Sequence, residues 1–252
     1  MMLKFFPYRL IATLISTSCV FAGAHAKASE LHYSVANQDF KAHVAAPVGE
    51  SLGKVFIIHD WDGLNEYEIK RADMLAALGY EAVALDLFGV DAKLQGFEDY
   101  KRETGALYQD RSKFQERISA AVKAASASSQ TQVPEFLIGY CFGGAAVLEG
   151  ARMGLDLDGF VSFHGGLETP EGQDYNNTKA AVLLLHGSAD PVSGMDSLAA
   201  TLQQMQKAEI AHSAEVYGGA RHSFTVPGSR DYNADADEKS WQALLRFLET
   251  KR

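Results

Sequence analysis

Cysteine is nearly missing from this chain: Cys19 and Cys141 are the only two among 252 residues. That scarcity excludes a disulfide-stapled scaffold and a four-cysteine metal site, both of which need cysteines in sets. It also argues against thiol–disulfide exchange, which needs a resolving cysteine close by, as in C-x-x-C. Basic residues are short too, 23 Lys and Arg against 32 Asp and Glu, for a formal net charge of −9. Such a surface disfavours nucleic acids and anionic membranes as partners, because phosphate binding is driven by Lys and Arg neutralisation. Repeats, low-complexity runs and interdomain linkers are absent as well.

What is present begins with an export signal. Lys4 and Arg9 give a positive start, residues 10–23 are apolar, and Ala24-His25-Ala26 supplies the small residues that signal peptidase reads. The apolar run is too short to span a bilayer permanently. Residues 1–26 are therefore expected to be a signal peptide, residues 27–252 a single domain, and the mature protein periplasmic or secreted. Cys19 lacks the context of a lipid-attachment site and leaves with the signal. Cys141 then remains as a lone thiol in an oxidising compartment, either buried and inert or kept for a purpose.

Strand and helix patterns alternate along the rest. Residues 31–37 and 39–46 read as an opening hairpin. Residues 55–58, 81–87, 135–138, 159–163, 181–185 and 213–217 read as strands, several of them continuous apolar runs of the kind buried on both faces. Helical patterns cover residues 66–78, 110–125, 145–153, 196–207 and 236–248. This alternation predicts an α/β fold: a mostly parallel, doubly wound sheet with helices on both faces. Ligands in such folds sit beyond the carboxyl ends of the strands.

Three candidate reactive residues each follow a strand. Gly139-Tyr140-Cys141-Phe142-Gly143-Gly144 has the form of a nucleophile elbow, G-x-S-x-G, with Cys in place of Ser. The glycines suit a strained turn where strand and helix approach closely, and the helix N-terminus under the sulfur favours thiolate over thiol. Asp190 lies in His186-Gly187-Ser188-Ala189-Asp190 and His222 in Arg221-His222-Ser223-Phe224. Nucleophile, acid and base thus come in the chain order that this fold uses. His222 is expected to take the thiol proton while Asp190 holds the imidazole tautomer. The oxyanion donors expected are the amides of Phe142 and of Trp61, the latter from the loop His59-Asp60-Trp61-Asp62-Gly63-Leu64-Asn65. The plainer readings are a structural Gly turn, a capping Asp and a loop His.

On these residues the sequence resembles the dienelactone hydrolase family of α/β-hydrolases, over nearly the whole mature chain. The resemblance implies a monomeric hydrolase without cofactor or metal. It would act on cyclic enol esters through a Cys141-Asp190-His222 triad and an acyl-enzyme. It also implies a role for Asp60, which stands where the family usually carries a glutamate that contacts the resting thiol and helps to activate it. A cation that follows the catalytic His in the family is missing here before Arg230, which points to a different or less acidic substrate. Tyr140, Phe88, Phe224 and His164, at strand ends, are candidates for a substrate pocket. His59, His164 and His186 lack metal-ligand spacing, so no metal site is expected. The alternatives are a thioesterase or short-chain esterase, or a non-catalytic binding protein retaining the fold.

Overall fold

In a computed structural model, which describes residues 28–128 and 132–250, an antiparallel hairpin of β1 (Ala28–Val35) and β2 (Gln38–Ala45) opens the chain. It is followed by β3 (Lys54–Ile58), α1 (Glu66–Ala77), β4 (Glu81–Leu85), α2 (Phe97–Gln109), α3 (Arg111–Ala127) and β5 (Glu135–Tyr140). Then come α4 (Phe142–Arg152), β6 (Gly159–Phe163), β7 (Ala181–Gly187), α5 (Met195–Lys207), β8 (His212–Tyr217) and α6 (Ala234–Glu249). The expected signal peptide lies outside the described residues.

Alternation along the strands decides the layering. All five residues of β3 are buried, with Phe56 and Ile58 in one apolar cluster and Val55 and Ile57 in another. The first cluster is closed by α2, α3, α4 and α5 through residues such as Leu107, Phe114, Val147 and Leu198. The second is closed by α1 and α6 through Leu75, Trp241 and Leu244. Strands run in the order β1-β2-β4-β3-β5-β6-β7-β8. Pairing is parallel from β4 across to β8 and antiparallel where β2 meets β4. This is the mostly parallel, doubly wound sheet with helices on both faces that the alternation predicts, and it fits the α/β-hydrolase fold that the resemblance implies.

Two elements differ from expectation. Helix α2 was not legible, because its turns carry Thr104 and Gly105 where an apolar stripe would show, and only Thr104 and Leu107 are buried. Its aromatics pack sideways instead: Phe97 and Tyr100 meet the Trp61 ring edge-on at 5.3 and 5.4 Å. Helix α4 begins at Phe142 rather than Ala145, because β5 runs on to Tyr140 and leaves Cys141 as the whole connection.

That junction tolerates no side chain at its glycines. A Cβ on Gly139 would lie 2.3 Å from the Gly143 carbonyl oxygen, and one on Gly143 would lie 2.2 Å from that of Ile58. Both obstacles are backbone and have little room to shift. Gly143→Ala is expected to destabilise the protein by at least about 2 kcal/mol in a denaturant titration. Gly105→Ala, inside α2 with nothing within 4 Å of the added carbon, is expected to stabilise by about 0.5–1 kcal/mol. Equal midpoints for the two variants would refute this account of the junction.

Candidate active site

Cys141 sits between the end of β5 and the first turn of α4 with φ 52° and ψ −109°. A left-handed φ on a residue bearing a Cβ costs about 1–3 kcal/mol and survives only where the surroundings impose it. Here the Cys141 amide donates to the Phe163 carbonyl at 3.0 Å and to His164 Nδ1 at 3.2 Å. The turn lifts the sulfur off the end of the sheet. His222 Nε2, from the loop after β8, stands 3.0 Å from Cys141 Sγ, and His222 Nδ1 is 2.8 Å from Asp190 Oδ2. The second Asp190 oxygen accepts the amides of Val192 at 2.8 Å and Ser193 at 3.1 Å.

Protonation follows from these contacts. Burial alone would raise the Asp190 carboxyl, but the hydrogen bond and charge of His222, with the two amides, outweigh it and hold the group below its usual value. An ionised Asp190 fixes the proton of His222 on Nδ1 and leaves the Nε2 lone pair facing sulfur.

The loop after β3 closes the other side. Asp60 is buried, and that burial pushes its carboxyl up to about 6 in spite of hydrogen bonds from the Trp61 amide and the Cys141 thiol. The Trp61 amide is 2.5 Å from Asp60 Oδ1. Burial, then the charge of Asp60 and its hydrogen bond, push the Cys141 thiol well up, while the amides of Phe142 and Trp61 pull it the other way. The helix N-terminus does favour the thiolate, as its position implies, but it loses. At rest Cys141 is a thiol, contrary to the expectation from the elbow alone. Both amides expected as oxyanion donors act on this thiol, and at rest that of Trp61 is bonded to Asp60 Oδ1.

A sequence profile of the dienelactone hydrolase family matches residues 40–251. The chain belongs to the dienelactone hydrolase family. A Synechocystis protein provisionally named as a carboxymethylenebutenolidase is 25% identical over 232 residues, covering 85% of this chain and 93% of that one. The solved structure of a metagenomic dienelactone hydrolase-like promiscuous phosphotriesterase, P91, superposes with a TM-score of 0.83 at 29% identity, covering 90% of this chain and 99% of that one. An acylaminoacyl peptidase of Pyrococcus horikoshii, 14% identical, shares the fold alone, with a TM-score of 0.68 over 90% of this chain and 42% of its own. The protein is a hydrolase acting on a small molecule.

Several parts of this dienelactone hydrolase family site escaped the sequence reading. Glu68, fully buried in α1, accepts the amides of Asp60 at 3.1 Å and Asn65 at 3.2 Å, and burial pushes its carboxyl up to about 8. Asn65 in turn caps α1 through the Tyr67 amide at 2.8 Å, so one capping box fixes both the helix and the Asp60 loop. His59 donates from Nδ1 to the Asp60 carbonyl at 2.6 Å and accepts the Leu87 amide on Nε2 at 3.1 Å. That carbonyl belongs to the same peptide plane as the Trp61 N–H, so holding one aims the other. Tyr108 arrives on α2. Its ring meets Phe142 edge-on at 5.6 Å, and desolvation, then the neighbouring Cys141, raise the pKa of its hydroxyl, although the residue as a whole is exposed. Unrecognised as a helix, α2 gave no signal for it.

A cleft of about 650 Å³ opens between the Asp60 loop, α1 and the loop after His222, lined by Asp60 and Ser223 but by neither Cys141 nor His222. Of the aromatic side chains named from the sequence, Trp61 lines it. Tyr140, Phe88 and Phe224 are at most 1% exposed and belong to the core: Tyr140 stacks on Phe163 at 4.6 Å, Phe88 lies under Phe142 at 5.3 Å and Phe224 meets Tyr217 at 5.3 Å. His164 is fully buried beneath the elbow, also away from the cleft wall. Among the described residues no group of three or more His, Cys, Asp or Glu is arranged to hold a metal ion.

The electrostatics make a direct test. With the negative charge removed, Asp60→Asn is expected to bring the thiol titration, followed by thiolate absorbance, to lower pH, with about tenfold more thiolate at neutral pH. An unchanged titration would show that Asp60 does not govern the resting thiol.

Proposed function

We propose that this family member is an exported, monomeric hydrolase of small carboxylic esters and lactones that needs no cofactor or metal and works through Cys141, His222 and Asp190. The observation that carries the reading is the hydrogen-bonded series from Cys141 Sγ through His222, 3.0 Å away, to Asp190 at 2.8 Å, set on a strained elbow. Export rests on the pattern of residues 1–26, and with it goes a mature single domain of residues 27–252 in the periplasm or outside the cell.

The steps follow from the contacts. When an ester or lactone carbonyl reaches the sulfur, the thiol proton passes to Nε2 of His222, 3.0 Å away, and the sulfur attacks the carbonyl carbon. The amides of Phe142 and Trp61 hold the oxyanion. Collapse breaks the C–O bond, and the leaving oxygen takes a proton from His222. His222 then deprotonates a water that attacks the thioester, which releases the carboxylic acid and restores the thiol. Asp60, shorter by one methylene than the family's usual glutamate, still meets the resting thiol, which supports an activating role for it once substrate binds. Tyr108, near Cys141 and packed on Phe142, is a candidate to contact the acyl or leaving group.

The cleft also speaks to substrate charge. Asp60, Asp62, Glu66 and Asp231 line it against Lys70 and Arg230, and Arg230 and Arg221 both pair with Asp231. This balance supports a neutral ester or lactone over one bearing a carboxylate. The phosphotriesterase relative makes aryl phosphotriesters a reasonable second substrate panel, since the same thiol would attack phosphorus.

Purified enzyme is expected to hydrolyse a short nitrophenyl ester and a small lactone, and iodoacetamide is expected to abolish both activities. Cys141→Ala and His222→Ala are each expected to lower kcat/KM by about 10³-fold or more. Retained turnover in Cys141→Ala would sink the thiol mechanism. In matched esters the neutral one is expected to exceed the carboxylate-bearing one by about five- to tenfold in kcat/KM, with the gap narrowing as salt rises. A preference for the anionic ester would overturn the reading of the cleft.

A further inference from the structure

His164 follows β6 with φ 37°, a left-handed conformation uncommon for any residue with a side chain. It is fully buried and does not line the cleft. Both ring nitrogens are used. Nδ1 accepts the amide of Cys141 at 3.2 Å, so Nδ1 carries no proton. In a neutral ring the proton then sits on Nε2, which donates to Thr225 Oγ1 at 2.7 Å. Thr225 lies three residues beyond His222 and is itself held: Tyr67 donates to its hydroxyl at 2.7 Å and Arg71 to its carbonyl at 3.0 Å. The His164 ring packs edge-on to His222 at 5.5 Å and to Phe224 at 5.1 Å.

These contacts make one bridge. It starts at the backbone of the nucleophile, crosses an imidazole, and ends on the loop that carries the base. Cys141 and His222 come from different crossovers of the sheet, and nothing in the chain's connectivity sets their separation. We propose that His164 is a positioning residue, a neutral imidazole that clamps the Cys141 amide to Thr225 and so keeps Sγ and Nε2 of His222 within proton-transfer range. The inference rests on the thiol mechanism above but concerns a residue that touches neither substrate nor reacting atoms.

The clamp works only in one charge state. A proton on Nδ1 would place N–H against the N–H of Cys141. The surroundings oppose it as well: burial, and then the charge of His222, hold the His164 pKa well down, with His186 adding to this and Asp190 opposing it. From α1, Tyr67 and Arg71 face the far end of the bridge through Thr225. A ring that stays neutral leaves His222 free to become the imidazolium during turnover, with no second cation 5.5 Å away.

The test is a double-mutant cycle on the full-length mature enzyme. His164→Phe keeps the ring and its packing and removes both hydrogen bonds. Thr225→Val is nearly isosteric and removes the acceptor at the far end, which His164 shares with Tyr67; Tyr67→Phe, which removes only the second of these bonds, is the control. His164→Phe is expected to lower kcat by about 10- to 100-fold with KM changed by less than about twofold, the scale of a misplacement near 1 Å. Alkylation of Cys141 by iodoacetamide at neutral pH, which needs no ester, is expected to slow in parallel. Thr225→Val is expected to give a smaller loss of the same kind, and the double variant to be no worse than His164→Phe alone. His164→Asn, whose Oδ1 replaces Nδ1 and whose residue type tolerates the left-handed φ, is expected to recover part of the loss. Losses that add in the double variant would overturn the clamp, as would wild-type kcat and alkylation in His164→Phe. If His164→Phe melts below the assay temperature, Thr225→Val decides, and unchanged kcat there refutes the proposal. If the wild type hydrolyses no ester, the alkylation arm still reads the coupling of Cys141 to His222, so failure of the proposed activity and failure of the clamp give different results.

Discussion

The contact on which the site depends is between backbones, at the junction of β5 and α4. The helix approaches the sheet so closely that the Gly143 Cα faces the Ile58 and His59 carbonyls with no space for a methyl group. Only because strand and helix meet with a single residue between them does Cys141 take φ 52° and present its sulfur above the sheet. Everything else at the site is arranged around that sulfur. The Phe142 amide is aimed at it by the first turn of α4, the Trp61 amide by the loop that leaves β3, and the imidazole of His222 by the loop that leaves β8. A looser junction would lower the sulfur into the core and leave those donors without a target.

Placing a thiol there brings an electrostatic problem that the fold resolves in favour of the neutral form. A helix-start amide, a loop amide and an imidazole would ordinarily yield a thiolate. Burial and the Asp60 carboxylate, itself buried and raised to about 6, shift the balance back toward S–H. Asp60 is poised between two demands. It raises the thiol pKa in the free enzyme, and it is also a proton acceptor in contact with that thiol. A substrate that draws Asp60 away from the Trp61 amide would free that amide for the oxyanion. The same movement would take the negative charge off the sulfur. Resting protection and activation then become two positions of one side chain. A protonated resting thiol is also the form less open to oxidation, since the thiolate is the one that reacts.

Much of the fold and the reacting series was legible in the sequence because the signals are local. The strands β3 and β6 are buried along their whole length and read as short apolar runs. The elbow carries glycines at fixed offsets from Cys141, and Asp190 and His222 each follow a strand. What stayed hidden depends on contacts between distant segments. Helix α2 has Phe97, Tyr100, Leu107 and Tyr108 at helical spacing, but Thr104 and Gly105 interrupt the stripe and charged residues fill the rest, so Tyr108 went unseen. Whether a ring at a strand end faces cleft or core depends on the turn that follows it; for Tyr140, Phe88 and Phe224 that turn leads inward. The rise of the thiol pKa was not legible from the helix alone, since it comes first from burial and then from Asp60, 81 residues away along the chain.

The histidines that follow the strands show the same logic at the second layer. His59, His164 and His186 sit at the ends of three parallel strands, where a metal site would be tempting, yet each is occupied with backbone or hydroxyl partners. His59 holds the Asp60 carbonyl and so aims the Trp61 amide. His164 holds the Cys141 amide. His186 donates to the Ser193 carbonyl at 2.7 Å, in the turn whose amides carry the Asp190 carboxylate. Burial lowers the pKa of all three, which is what their roles require. A neutral imidazole offers one donor and one acceptor on a rigid ring, and it tethers a loop without adding charge beside His222. Each loop that brings a reacting group to the sulfur is thereby tied to its own strand end or to its neighbour's. On the proposed mechanism the charge that develops during turnover is left to His222, whose Nδ1 stands 2.8 Å from Asp190.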